Sequence, residues 1–338
     1  MHVLVTGSSG FVGAELTKKL LDENHVVYAL VRNTRKLAKA LPPKYLNRVT
    51  PLEGDLLVES DLERLQHQLT KSVGRLDIVV DLAGGGPLTA NRKEYSFDTN
   101  YRTTANLIRI LRNSQRLDSL SLFVYFSSLA AMGFPDNGER RILYSERTAC
   151  NPKLPLERGK FDSETFLKDL AKASKFRVVA LRFPQIYGLA DAAFMQIISL
   201  LRKGVFPVVR GTMGSLPLIN LRDVVGATYA VIQNANRITE NYEVYLVCEA
   251  SYSYDQLLDL VRKKFGQGGM LRLPYSLMYV GTSIVERIFG VLGKPEPLNR
   301  RRLISLTKDR VVDSSKFVST FHFKFEESVE HFIANELS

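Results

Sequence analysis

The chain has 338 residues, 45% of them hydrophobic, enough to build the core of one large α/β domain or of a nucleotide-binding domain with a smaller partner. Its two cysteines, Cys150 and Cys248, lie far apart with no CxxC pair or histidine cluster beside them, which argues against a disulfide framework and a metal site and fits a reducing compartment. The formal charge of +11 is spread over every segment and its one tight cluster, NRRR at 299–302, lacks interleaved aromatics, so an anionic cofactor, substrate or carrier matches it better than nucleic acid.

The chain opens in MHVLVTG, already strand-like, with no charged region ahead of an apolar stretch, so a cytoplasmic protein without a signal peptide is expected. Runs rich in β-branched residues at 2–7, 25–32, 48–55, 76–84, 121–128 and 176–183 read as strands. Between them, stretches such as FVGAELTKKLLDE and YRTTANLIRILRNSQ place apolar residues three and four apart, as helices with one buried face do. This alternation predicts an α/β fold with a Rossmann-type doubly wound parallel sheet.

After Gly188 the pattern becomes mixed, with a helix in DAAFMQIISLLRKG, a short strand in FPVVRG, and helices near 253–265, 274–290 and 325–337. The expected division is a dinucleotide-binding domain over residues 1–180, to which later segments return, and a mainly substrate-binding region with C-terminal helices over 181–338. The site belongs in the cleft between them. The apolar run LPYSLMYVGTSIV at 273–285 falls short of the ~20 residues a span requires. It reads as a packed helix or as a helix on a membrane surface, with Arg272, Arg287 and Lys294 nearby.

VTGSSGFVG follows the first strand and opens the first helix, giving Gly7, Gly10 and Gly13 the spacing GxxGxxG. Glycines there let the turn close and let backbone N–H groups approach a pyrophosphate at the positive end of the helix. The second strand ends in Val31 and Arg32, where an NAD-preferring site carries an acid; a guanidinium suits a 2′-phosphate, so NADP(H) is expected over NAD(H), with Arg35 and Lys36 as helpers. Asp55, closing the third strand in EGDL, is positioned to touch the adenine, and LAGGG at 82–86 closes the fourth with small residues. Together these strand ends trace one crevice.

In this order the motifs resemble the extended short-chain dehydrogenase/reductase family (NAD-dependent epimerase/dehydratase-like) over nearly the whole chain. The matching pieces are TGSSGFVG, GDL, DLAG, NYRTTANLI, FSSLAAMG, LRFPQIYG and LINLRDVVGA. ALVRN, GDLLVESDL and LERGKF look like the thioester-reductase and acyl-reductase branches, while the C-terminal KPEPLNRRRLISLTKDRVVDSSK is similar to 3-beta-hydroxysteroid-dehydrogenase-like members. The resemblance implies that Thr6, Gly7, Ser9, Gly10, Phe11, Val12 and Gly13 hold the pyrophosphate region, Arg32 the 2′-phosphate, Asp55 and Leu56 the adenine, and Ala83, Gly84 and Pro184 the middle and nicotinamide end. It further implies that Asn100 orders the catalytic helix region, that Ser128, beside Ser127, hydrogen-bonds the substrate carbonyl, and that Lys160 holds the nicotinamide ribose and activates a tyrosine four residues earlier.

That tyrosine is absent. The expected Y-x-x-x-K reads LERGK, with Leu156 in its place and Gly159 where a serine is usual. An alkoxide formed by hydride transfer must be protonated, and leucine offers neither a proton nor a hydrogen bond. Tyr144, in the loop after the serine strand, is the freest substitute, Tyr125 and Tyr187 being expected in the core. In LRFPQIYG the resemblance places an asparagine at Gln185 in many members acting on nucleotide sugars, and Pro184 tilts the reading away from a sugar-nucleotide epimerase; no carboxylate pair, metal set or nucleophile with its base marks the substrate region. Four readings follow: an NADP(H)-dependent oxidoreductase on a carbonyl or hydroxyl substrate with an altered proton donor, a non-catalytic dinucleotide-binding sensor or assembly subunit, a sugar-nucleotide epimerase/dehydratase, and an enzyme on a lipid-like substrate at a membrane surface. Helices around 93–115 and 155–172 would form the homodimer interface that the resemblance implies.

Overall fold

The computed structural model describes residues 1–84, 97–134, 139–291 and 300–337. Its strands are β1 (His2–Thr6), β2 (Val26–Val31), β3 (Val49–Glu53), β4 (Ile78–Asp81), β5 (Leu122–Ser128), β6 (Arg141–Tyr144), β7 (Arg177–Phe183), β8 (Gln185–Tyr187), β9 (Phe206–Val209), β10 (Ser215–Asn220), β11 (Tyr242–Leu246), β12 (Ala250–Ser253), β13 (Met270–Leu273) and β14 (Asp309–Val312). Its helices are α1 (Phe11–Asp22), α2 (Thr34–Ala40), α3 (Pro43–Leu46), α4 (Glu59–Ser72), α5 (Phe97–Asn113), α6 (Pro155–Lys172), α7 (Ala192–Arg202), α8 (Leu221–Gln233), α9 (Tyr254–Phe265), α10 (Tyr275–Val291), α11 (Arg300–Thr307), α12 (Ser315–Phe321) and α13 (Val329–Asn335).

Seven strands form a parallel sheet in the order β11-β7-β5-β4-β1-β2-β3. The six strands read from the sequence all lie in it. Strands β1, β4 and β5 are buried on both faces, which is why they read as continuous apolar runs rather than alternating ones. One face packs on α1, α8 and α12 through Leu16, Leu20, Val224, Ala227, Phe317 and neighbours. The other packs on α4, α5 and α6 through Leu65, Leu69, Leu107, Leu111 and Leu167. The strand order reverses between β1 and β4, so the carboxyl ends of these two strands flank the crevice where ligands enter such sheets.

The chain beyond β7 contributes to both regions. β11 pairs with β7 at the sheet edge, and α8 and α12 cover the sheet. The remaining elements build a second core of Phe194, Leu201, Leu257, Val261, Leu303 and Phe332, around the three-stranded sheet β12-β10-β8 and the pair β13-β9. The pair β14-β6 joins the two regions. The helix expected over 325–337 is shorter, because Ser328 accepts the N–H of His331 at 3.1 Å and caps α13 from Val329. Gly85, Gly86, Lys294 and Asn299, part of the stretches noted above, lie outside the described residues.

Candidate active site

The crevice begins at the β1–α1 turn. Gly7 has φ +67°, a left-handed conformation natural to glycine, and Gly13 packs so close that a Cβ there would run into the Gly7 carbonyl. Behind the turn, Asp81 at the end of β4 is fully buried and ties three segments together. It accepts from Thr6 at 2.7 Å and from Thr104 on α5 at 2.8 Å, and Thr6 Oγ1 in turn accepts the N–H of Ala83 at 2.8 Å. Burial pushes the Asp81 carboxyl above its usual range, against the pull of these two hydroxyl donors.

Asn100, on α5, is buried, and its Oδ1 has no hydrogen-bond partner among the described residues. It faces Gly84, where a Cβ would collide with that Oδ1 and lie 3.3 Å from the ammonium of Lys160. A buried acceptor without a protein donor, beside a close-packed glycine and an ammonium, suits the hydroxyl groups of a ribose. The residues at this strand-end crevice therefore fit a dinucleotide.

Lys160 is set by the way α6 starts. Pro155 occupies the first turn, and the buried Glu157 carboxylate accepts the N–H groups of Lys153 and Leu154 at 2.8 and 3.1 Å. Lys160 then donates to the Phe126 carbonyl at 2.7 Å and sits 5.0 Å above the Tyr125 ring. Burial of its ammonium brings its pKa down to about 8, with the Asp81 and Glu164 charges pulling the other way. Leu156, one turn earlier, is half-buried.

Ser127 and Ser128 end β5 with different partners. Ser127 donates to Glu164, which forms a buried ion pair with Arg182 at 2.5 Å. Ser128 caps the short turn Leu129–Met132, accepting from Ala130 at 3.1 Å, and faces a cavity of about 630 Å³. Phe11, Leu129, Phe134, Ile186, Phe206 and Leu306 make most of that lining apolar. Tyr144 also borders it, but its hydroxyl donates to the Gly133 carbonyl at 3.0 Å. Tyr125 and Tyr187 are fully buried, and the Tyr187 hydroxyl donates to Glu249 at 2.7 Å.

The other expected cofactor residues spread along the strand ends. Ser9 is half-buried in the turn and Val12 half-buried in the first turn of α1, Gly10 is exposed, and Phe11 and Pro184 reach the cavity. Arg32 is exposed after β2. Nearby, the Glu53 carboxylate accepts from the Thr34 hydroxyl at 2.6 Å, which holds its pKa below the usual value. Asp55 accepts the N–H of Leu57 at 2.9 Å and Leu56 is buried, its carbonyl accepting from Asn106 at 2.7 Å. Sequence reading did not single out Asp81, Thr104, Glu164 or Arg182. Three of them lie inside quoted motifs, Asp81 in DLAG, Thr104 in NYRTTANLI and Arg182 in LRFPQIYG.

Residues 3–248 match the profile of the NAD dependent epimerase/dehydratase family. The chain belongs to that family. This epimerase/dehydratase family member is 24% identical over 329 residues, 93% of each chain, to a sterol-4-alpha-carboxylate 3-dehydrogenase (decarboxylating) of Dictyostelium discoideum. It is 30% identical over 149 residues to a 3-beta-hydroxysteroid dehydrogenase of Mycolicibacterium neoaurum, covering 43% of this chain and 38% of that one. In fold it resembles a UDP-glucose 4-epimerase of Thermotoga maritima, with a TM-score of 0.71 at 16% identity over 99% of this chain and 96% of that one. The dehydrogenase relatives support an oxidoreductase, and the solved epimerases establish the Rossmann fold.

Proposed function

We propose that the protein is an NADP(H)-dependent oxidoreductase acting on the hydroxyl or carbonyl group of an apolar, sterol-like substrate. The observation that carries this reading is the largely apolar cavity that meets the cofactor crevice at Ser128 and Phe11. The names of the sterol and steroid dehydrogenase relatives support the same substrate class. A bound nicotinamide would supply or accept the hydride.

The chain's own residues would do the rest. Ser128 donates a hydrogen bond to the substrate oxygen and polarises it, and the lining excludes water. Lys160 contributes positive charge behind the reacting centre, and Arg32 pairs with a 2′-phosphate. With Leu156 one turn before Lys160, the proton reaches the oxygen from Ser128 or from a water it orients. The test mixes purified protein with NADPH or NADH and a panel of apolar ketones and alcohols. Consumption of NADPH above NADH supports the reading, and no nicotinamide change with any member counts against it.

A second reading, a non-catalytic dinucleotide sensor, is favoured by Leu156 and by the engagement of Tyr144 with Gly133. Tight NADPH binding without turnover on the same panel would select it.

A further inference from the structure

Helix α10 carries its apolar residues on the outside. Leu277, Val280, Ile284 and Ile288 are 55%, 55%, 52% and 51% exposed, while Met278 and Thr282 on the opposite side are buried. The exposed four recur at i, i+3, i+7 and i+11, one stripe along a helix about 25 Å long at ~1.5 Å per residue. Tyr275 and Tyr279, stacked with ring centroids 6.2 Å apart, flank it near the first turn. A monomer rarely leaves a continuous stripe of large aliphatic side chains in water.

We propose that this face docks on an anionic lipid bilayer. The inference rests on the exposed stripe and stands whether or not the oxidoreductase reading holds. Charge selects the occupant: the chain carries a formal +11, α10 holds the exposed Arg287 next to Glu286, and the sequence of α11, which packs against α10, begins with Arg300, Arg301 and Arg302. A helix with an apolar face and basic residues on its neighbour lies in the headgroup region rather than across the bilayer. Among the described residues, no helix is long and apolar enough to cross a membrane. Position adds a second argument. Ser305 and Leu306 of α11 line the cavity, so one helix separates the docking face from the space a lipid-like molecule would fill.

The experiment is flotation of the full chain with vesicles of phosphatidylcholine alone and of phosphatidylcholine mixed with phosphatidylglycerol. The protein is expected to float with the anionic vesicles, less so at high salt, and hardly at all with the neutral ones. Ile284→Glu with Ile288→Glu should lose most of the vesicle-bound fraction while melting like the unaltered protein. Leu277→Gln with Val280→Gln, a milder pair, should show a partial loss. Failure of the unaltered protein to float overturns the proposal. So does flotation of folded variants at the unaltered level, or a dimer free of vesicles that both pairs convert to monomer, which assigns the face to a second copy.

Discussion

The Lys160 ammonium donates to the Phe126 carbonyl at 2.7 Å, two positions before Ser128 on the same strand. This bond holds α6 to the end of β5, with position 156 one helical turn before the ammonium. Leu156→Tyr is expected to raise kcat on a carbonyl substrate at least ~10-fold, since a positioned general acid is worth about 10² to 10⁴. Steady-state kinetics on the same substrate check it. An unchanged kcat would mean that the proton arrives by a route position 156 does not touch.

The pH dependence follows from the same lysine. Its pKa is about 8 in the folded chain, below its ordinary 10.5. The unfolded chain therefore binds more protons between those values, so this group's contribution to stability is least favourable below pH 8 and improves as pH rises toward 10.5. Cofactor binding should move oppositely, because the anionic dinucleotide loses its cationic neighbour as Lys160 deprotonates. Titrations of NADPH across that range should show weaker binding at high pH, and Lys160→Met should bind more weakly near neutrality with a flatter profile.

Glycine contacts give a steric test. Gly13→Ala forces a methyl against the Gly7 carbonyl, a backbone atom that cannot step aside, and is expected to cost about 1–3 kcal/mol and weaken NADPH binding. Gly84→Ala meets the end of the Asn100 side chain, which can rotate, so thermal melts should show a smaller loss while cofactor titrations still show weakened binding.

Glu164 is the buried structural anchor, bonded to Ser127 and paired with Arg182. Removing it with Glu164→Ala leaves a buried guanidinium unpaired and should destabilise the fold by about 3–5 kcal/mol in denaturant unfolding. Glu164→Gln should cost less, because it keeps an acceptor.

The proposed preference for NADP(H) rests on Arg32, exposed after β2. Arg32→Ala is expected to lower the preference for NADPH over NADH by about 10- to 100-fold, the worth of hydrogen bonds to a charged group. Comparison of the two dissociation constants measures it. No change would point to Glu53 and its neighbours as the groups that face the ribose.

The glycine turn, the six strands and Lys160 were legible because each depends on neighbours in sequence: a tight turn, an apolar run, a helical spacing. β11 was not, since it enters the sheet beside β7 after intervening strands and helices, and a parallel pairing carries no local turn signal. The pairing of β14 with β6, which lie far apart in the sequence, was hidden for the same reason. Tyr144 looked free in the sequence, yet it faces the Gly133 carbonyl because Gly133 and Asn151 bridge across the loop. The Glu164–Arg182 pair was not singled out, since burial of an ion pair depends on helix–sheet packing that composition does not display.

The most direct measurement follows nicotinamide absorbance while the protein, NADPH and an apolar ketone are mixed, with Lys160→Ala alongside. The oxidoreductase account predicts steady loss of NADPH that depends on the ketone and falls at least ~10-fold in the variant. NADPH that binds but stays unconsumed across sterol-like and simple ketones, in both the native chain and Leu156→Tyr, would contradict it.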